Sequence, residues 1–304
     1  MSILRAAIPS LALFLSASAA AAATPGFAFL EVPAGARAAA MGGAYVTLAE
    51  GIDGAFWNPA GLALVHGTQV TGSHNESFQS LKHDQFAVAG ELFGGGIAGS
   101  LRAMYSPAID ERDDLGNLTG TFGAHDLEFQ LGYGRRVGGG GNVGVAAQVV
   151  REVLANESAT TWSGSTGATW RPQAWKSVCL GVSAQHLGPA AYYDFDGQRG
   201  APVALPAAVQ AGGSWTRALA HGLGLTAALD ARATQGRQAV IALGSELASE
   251  TGVAVRLGLR QGDDLSNFGA GVGWKRGTFS VDYAWVPSKL DLGDTHRFSF
   301  ATQF

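Results

Sequence analysis

The chain carries few residue combinations that would support catalysis or bind a metal. Cys179 is the single cysteine, and a reactive thiol needs a nearby base that lowers its pKa. The nearest histidine downstream, His186, is joined to it by no local motif. The seven histidines include no H-E-x-x-H spacing, the arrangement that holds zinc on a helix. We therefore expect no catalytic centre, no metal site and no cofactor.

Two loop-like segments resemble ligand sites only superficially. Residues 138–142 read Gly-Gly-Gly-Gly-Asn, but no helix is expected after them, so a turn fits better than a phosphate cradle. Residues 109–114 read Ile-Asp-Glu-Arg-Asp-Asp. Their carboxylates suit calcium, yet the spacing is not that of an EF-hand loop. A solvated loop is the favoured interpretation, with calcium binding as the alternative.

A set of charged residues instead recurs along the chain at positions whose sequence neighbours are apolar. In each case the charge falls on the polar side of a segment that alternates between apolar and polar residues. The set comprises Glu91, Arg102, Glu128, Asp230, Arg256, Arg260, Asp282 and Arg297. Both signs occur together, which allows two interpretations. The charges either pair with Arg37 and Asp53 near the N-terminus, as buried charges must pair, or face water in a lumen.

Alternating strands are the elements that would carry these charges. The last eight residues place Phe298, Phe300 and Phe304 on one side and Arg297, Ser299 and Gln303 on the other. In an outer-membrane barrel the apolar face meets lipid and the polar face lines the lumen. Such barrels commonly end on an aromatic residue. We therefore expect Phe304 to be a C-terminal assembly signal that the barrel-assembly machinery recognises.

Composition agrees with a membrane barrel. Charged residues make up 14% of the chain, against about a quarter in soluble domains. Beyond the N-terminus no apolar run is long enough for a transmembrane helix. The net charge of −4 gives no basic footprint for nucleic acid. A soluble sandwich or propeller also alternates, but aromatics cluster at predicted strand ends, as they do at membrane interfaces.

The predicted fold is all-β: a transmembrane antiparallel β-barrel of about 14 strands, with 12 or 16 as alternatives. A single-chain bacterial barrel needs an even number, with both termini on the periplasmic side. The longest connections, Ser106–Ala124 and Leu187–Leu205, are then external. The short, Gly-rich ones at 93–96, 138–142 and 275–277 are then periplasmic. Outer-membrane lipid is the expected surrounding.

The N-terminal 64 residues divide into two parts. Residues 1–23 have a positive start, an apolar core and the small residues Ala21-Ala22-Ala23, which is typical of a cleaved signal peptide. The bacterial outer membrane is the predicted location. Residues 24–64 do not alternate, and they predict a short helix at 36–40 and an Asn58 N-cap before Pro59. The barrel itself is assigned to residues 65–304.

Within residues 24–64 the sequence resembles the PorV/PorQ family of the FadL-like superfamily of outer-membrane transport barrels. The residues that carry the resemblance are Gly35, Arg37, Met41, Gly42, Gly43, Asp53, Trp57, Asn58, Pro59 and Gly61. It implies a fourteen-stranded barrel whose N-terminal segment folds into the lumen as a plug or hatch. A barrel of this width is open unless something fills it.

The resemblance implies two non-enzymatic functions. The first is a plugged channel for hydrophobic or amphipathic small molecules. The alternative is a component of a type IX-like secretion or surface-assembly system that binds cargo or partner proteins. The predicted external loops are shorter than those expected of a cargo-receiving member. A barrel lipase or protease would need a catalytic constellation at the rim, and the sequence offers no motif for one.

Overall fold

The computed structural model of the chain describes residues 26–77, 80–195, 198–289 and 293–304. The predicted signal peptide, residues 1–23, lies outside the described residues. No helix in these ranges is long and apolar enough to cross a membrane.

Eighteen strands occur in the described residues, numbered here in chain order. They are β1 Gln69–Glu76, β2 Lys82–Leu92, β3 Gly95–Tyr105, β4 Ile109–Arg112, β5 Leu118–Phe122, β6 Ala124–Gly138, β7 Gly141–Leu154, β8 Glu157–Trp170, β9 Val178–Leu187, β10 Ala191–Phe195, β11 Gln198–Val203, β12 Ala208–Ala218, β13 Leu223–Thr234, β14 Val240–Ser249, β15 Val253–Gln261, β16 Phe268–Arg276, β17 Phe279–Val286 and β18 Thr295–Gln303.

Fourteen of these strands form a closed antiparallel barrel, which confirms the predicted fold class. Closure comes from β1 and β18, where Gln69 lies opposite Gln303. We call the end of the barrel at these two residues the terminal rim. The opposite end is the hairpin rim, because the two long connections there fold into separate hairpins, β4–β5 and β10–β11. The sequence predicted only long connections at these places.

The barrel wall alternates as the sequence predicted. On β6, Leu127, Phe129 and Leu131 point outward, and Phe129 is 58% exposed. Between them Glu128 and Gln130 point inward and are buried, with Glu128 only 3% exposed. Apolar side chains exposed on the outside with polar and small ones inside are the arrangement of a membrane barrel.

Residues 26–64 lie inside this barrel, and we call them the luminal segment. It contains 3₁₀ turns at Ala28–Glu31, Gly51–Ala55 and Pro59–Leu64 and one short helix, α1, at Ala36–Ala40, where the sequence predicted it. The Asn58 side chain caps the last turn, accepting from the Ala60 N–H at 3.1 Å. The segment starts beside the β10–β11 hairpin, where the Gly26 N–H donates to the Ala204 carbonyl, and it ends at the terminal rim.

Candidate functional site

The luminal segment packs closely against one part of the barrel, the lumen face of β3 and β6–β9, except at the terminal rim, where a cavity lies between them. We call this part of the barrel the close wall. Glycines make this approach possible. A Cβ on Gly144 would lie 2.2 Å from the Pro59 carbonyl carbon, and one on Gly134 would lie 2.5 Å from the Pro59 oxygen. Only hydrogen fits at these positions, so the turn Pro59–Leu64 rests directly on the backbone of the wall.

Glutamines of the close wall bind the backbone of the luminal segment. The Gln185 amide donates to the carbonyls of Phe56 at 3.1 Å and Trp57 at 3.0 Å. The Gln130 amide donates to the Ala55 carbonyl. Because a buried carbonyl without a donor is costly, these contacts fix the chain between the second and third 3₁₀ turns.

The close wall also contains a buried ion pair. Arg102 and Glu128 are cross-strand partners, 5% and 3% exposed, with Nε and Oε2 3.2 Å apart. Arg102 also donates to the carbonyls of Leu30 at 3.3 Å and Phe56 at 3.0 Å. His186 approaches Glu128 to 3.4 Å through its Nε2. Two predicted luminal charges therefore pair with each other and hold the luminal segment by its backbone.

The rest of the lumen face, from β12 through β18 to β1 and β2, is the open wall. Here Arg37 of α1 binds both oxygens of Glu246, at 2.8 and 2.9 Å. Arg256 joins the same Glu246 at 2.5 Å to Asp282 at 2.6 Å. A Cβ on Gly273 would lie 2.3 Å from the Asp282 carboxylate. Because Gly273 has no side chain, the Arg256 and Asp282 side chains can meet over β16.

Asp53 joins the network through Tyr45 rather than through a wall residue. The Tyr45 hydroxyl donates to Asp53 at 2.6 Å, and Arg37 donates to the Tyr45 oxygen at 3.3 Å. Burial raises the pKa of the Asp53 carboxyl, while the Tyr45 hydrogen bond and the Arg37 charge lower it. The two predicted charges of the luminal segment thus have different partners: Arg37 pairs with the wall and Asp53 pairs within the segment.

Three further predicted charges on the open wall hold backbone groups of the luminal segment. Asp230 accepts from the N–H groups of Tyr45 at 2.7 Å and Val46 at 2.8 Å. Arg260 donates to the Gly42 carbonyl at 3.1 Å and pairs with Asp263 at 3.0 Å. Arg297 donates to the Pro33 carbonyl at 2.7 Å.

Glu91 is placed differently from the other predicted luminal charges. It lies at the terminal rim, where its side chain is 61% exposed and His66 is 3.3 Å away. Phe304 is 80% exposed at the same rim, and its backbone exchanges two hydrogen bonds with Thr68. Neither residue contacts the enclosed part of the luminal segment.

The remaining predicted motif residues shape the segment. Gly35, Gly42 and Gly43 adopt positive φ angles between 67° and 83°, the conformation that favours glycine. Met41 is fully buried among Ala44, Ala228 and Ala242. A Cβ on Gly61 would lie 1.7 Å from the Ala49 carbonyl oxygen. These residues let the segment fold back on itself inside the barrel.

The sequence reasoning missed Glu246, Gln130, Gln185 and Gln210. All four are inward-facing and bind the luminal segment: the Gln210 amide donates to the Gly43 carbonyl at 3.1 Å. The sequence could have identified all four as inward-facing, because each lies on the small-residue side of an alternating strand. What the sequence does not show is which inward positions meet the luminal segment.

In the described part of the chain, two of the larger cavities lie between the luminal segment and the open wall. The terminal-side cavity has a volume of about 350 Å³ and is lined by the Arg37–Glu246–Arg256–Asp282 network. The hairpin-side cavity has a volume of about 410 Å³. Its lining combines apolar side chains with charges of both signs. The apolar residues include Val32, Pro33, Met104, Leu265 and Val286, and the charged ones are Arg232, Arg237, Arg260, Arg297, Glu31, Asp230, Asp263 and Asp264. A smaller cavity of about 300 Å³ lies at the terminal rim beside Arg136, Arg171 and Cys179.

Solved structures share this architecture. The toluene transporter TbuX of Ralstonia pickettii is 14% identical over 89% of this chain and 98% of its own, with a TM-score of 0.62. The toluene transporter TodX of Pseudomonas putida is 12% identical over 89% and 98%, with a TM-score of 0.61. A FadL homologue of Pseudomonas aeruginosa is 11% identical over 93% and 99%, with a TM-score of 0.54.

The chain has the FadL-type barrel fold. At these identities the likeness concerns the fold, and it agrees with the FadL-like resemblance of the sequence. No protein-family model matches the chain, and no curated protein matches it.

Proposed function

We propose that this protein is a channel of the bacterial outer membrane for hydrophobic or amphipathic small molecules. The luminal segment closes the lumen, and the protein performs no chemistry on the molecules that pass. In this proposal residues 1–23 are a signal peptide that directs export, and the PorV/PorQ-like motif belongs to the closing segment. The terminal rim faces the periplasm, as it does in barrels with an even strand number.

The observation that carries the proposal is the hairpin-side cavity. Ligand pockets are mostly apolar, with a few placed polar groups, and this one combines apolar side chains with arginines at the end of the barrel that would face the exterior. Solved proteins of the same fold include the toluene transporters TbuX and TodX and the monoaromatic hydrocarbon channel CymD. That agreement supports the chemistry without fixing the ligand.

The test is passage through the purified barrel, with and without residues 24–64. The mature chain is reconstituted in planar bilayers for ion conductance. For toluene influx it is reconstituted in vesicles with a lipopolysaccharide outer leaflet, because toluene crosses a plain phospholipid bilayer unaided, and influx means the rate above that of protein-free vesicles. We expect the truncated barrel to conduct ions strongly and the complete chain to conduct little while admitting toluene. Equal conductance of the two forms would contradict a closing role for residues 24–64. Absence of toluene influx in both would contradict the channel.

A second candidate is the secretion or surface-assembly component. The observation in its favour is the β4–β5 hairpin, on which Leu115 is 87% and Leu118 is 60% exposed, because exposed apolar patches often mark contacts with other proteins. Removing residues 109–122 separates the candidates. Unchanged toluene influx with lost surface display of exported proteins would favour the secretion role, and the reverse would favour the channel.

A further inference from the structure

One side chain of the luminal segment, Trp57, lines both large cavities. In the terminal-side cavity Trp57 lines the wall together with Tyr45 and Phe56. In the hairpin-side cavity it does so together with Gly42 and Gly43. The two linings have no other residue in common within the described part of the chain. The two cavities between the luminal segment and the open wall are therefore adjacent at Trp57.

Trp57 is held by more hydrogen bonds at its backbone than at its buried side chain. Gln185 binds the Trp57 carbonyl, and the next residue, Asn58, donates to the Val46 carbonyl at 2.9 Å. The ring itself has a single hydrogen bond, from Nε1 to the Ala34 carbonyl at 3.0 Å, and an edge contact with Tyr45 at 5.6 Å. A rotation about its side-chain bonds would break these contacts and the packing of the ring, which is 7% exposed, against Ala34 and Ala38.

We infer that Trp57 is the gate between the two cavities and that it opens by turning its side chain while the luminal segment stays in place. The inference rests on the proposed channel function and adds the route. An apolar molecule enters the hairpin-side cavity, passes the indole ring, and leaves through the terminal-side cavity along the open wall. The close wall, where the backbone of the segment touches glycines, takes no part in the passage.

The inference also assigns a specificity to the gate. A flat apolar molecule can slide past an aromatic ring and stack on it as it passes. A hydrated ion gains nothing from that face and needs the ring removed. Toluene influx should therefore depend on Trp57 less steeply than ion conductance does.

A locked barrel tests whether the segment must move. The Met41 Cβ lies 3.0 Å and the Met41 carbonyl oxygen 2.6 Å from the position of a Cβ on Gly244. The two backbones must therefore separate slightly to reach the roughly 3.5–4.5 Å found between the Cβ atoms of a disulfide, and the reduced form of the same variant is the reference for this shift. The pair M41C/G244C, with Cys179→Ser to prevent mispairing, ties the luminal segment to β14. With the lock oxidised, toluene influx should stay near the wild-type rate. An influx that disappears on oxidation and returns on reduction would overturn the inference.

Variants at the ring complete the experiment in the locked barrel. Trp57→Ala should raise ion conductance by a large factor and toluene influx several-fold, because it joins the two cavities. Phe29→Ala is the matched control: Phe29 is a fully buried aromatic of the same segment that lines neither cavity, so passage should not change. Equal gains in both variants would mean that loosened packing, not the gate, controls passage.

Truncation of residues 24–64 keeps the two proposals apart. If the truncated barrel admits toluene but Trp57→Ala has no effect in the locked chain, the gate is wrong and the channel stands. If even the truncated barrel excludes toluene, the channel proposal fails, and the gate fails with it.

Discussion

The close wall and the open wall hold the same luminal segment in different ways. On the close wall, glycines bring two backbones into contact, and glutamines and one fully buried ion pair complete the interface. On the open wall, Gly258 and Gly269 also meet the segment backbone, but charged side chains reach across to the segment as well, and the two larger cavities lie here. Both walls therefore hold the segment, and the open wall in addition leaves the space proposed for passage.

The largest effect is expected where the close wall buries its charges. Arg102→Met removes the partner of Glu128 and two donors to the segment backbone. Breaking a buried pair on one side costs about 3–5 kcal/mol, so we expect a loss of that order in the free energy of unfolding, measured by urea titration in lipid. A loss below 1 kcal/mol would mean that water reaches Glu128.

Gly144→Val tests the backbone contact directly. Its side chain would overlap the Pro59 carbonyl, and such overpacking costs about 1–3 kcal/mol. We expect reduced stability together with raised ion conductance, because the last turn of the segment is displaced. Gly99→Val is the control, since a Cβ there meets nothing within 4 Å. If both variants behave alike, the close wall does not seat the segment.

Glu246→Gln tests the open wall. Arg37 loses its ion pair, while Arg256 keeps Asp282. Since a net hydrogen bond contributes about 1 kcal/mol and this network borders a cavity, the stability loss should be smaller than that of Arg102→Met. Ion conductance should rise, because α1 is held less firmly. A stability loss as large as that of Arg102→Met would remove the distinction between the walls.

Phe304→Ser should have the smallest effect on stability, since the side chain is exposed outside both walls. Surface substitutions usually stay within about 0.5 kcal/mol. We expect normal stability once folded but a slower appearance of folded barrel in cells, followed by its shift in gel mobility. An unchanged rate would contradict the proposed C-terminal signal.

The sequence predicted the barrel because alternation is a local signal. Phe129 and Glu128 differ in exposure for a reason that adjacent residues reveal, and the same holds strand by strand. The same locality explains the correct helix at 36–40 and the Asn58 cap.

The site was less predictable because its contacts join distant parts of the chain. The sequence marks Arg256 as inward-facing, but Glu246 gains its role only because Arg37 of α1 reaches it. The inward glutamines look like ordinary luminal residues until the luminal segment supplies carbonyls for them. Similarly, Trp57 belongs to a recognisable motif, yet only the two cavities show what it separates.

Barrel closure also constrains the order of folding. The ladder between β1 and β18 joins Gln69 to Gln303, nearly the whole length of the strand-forming chain, and Ala36 reaches Ser299 of the final strand at 3.2 Å. Contacts of such high contact order form late. The final strand both closes the barrel against β1 and contacts α1. Closing the barrel and enclosing the luminal segment are therefore coupled through one strand.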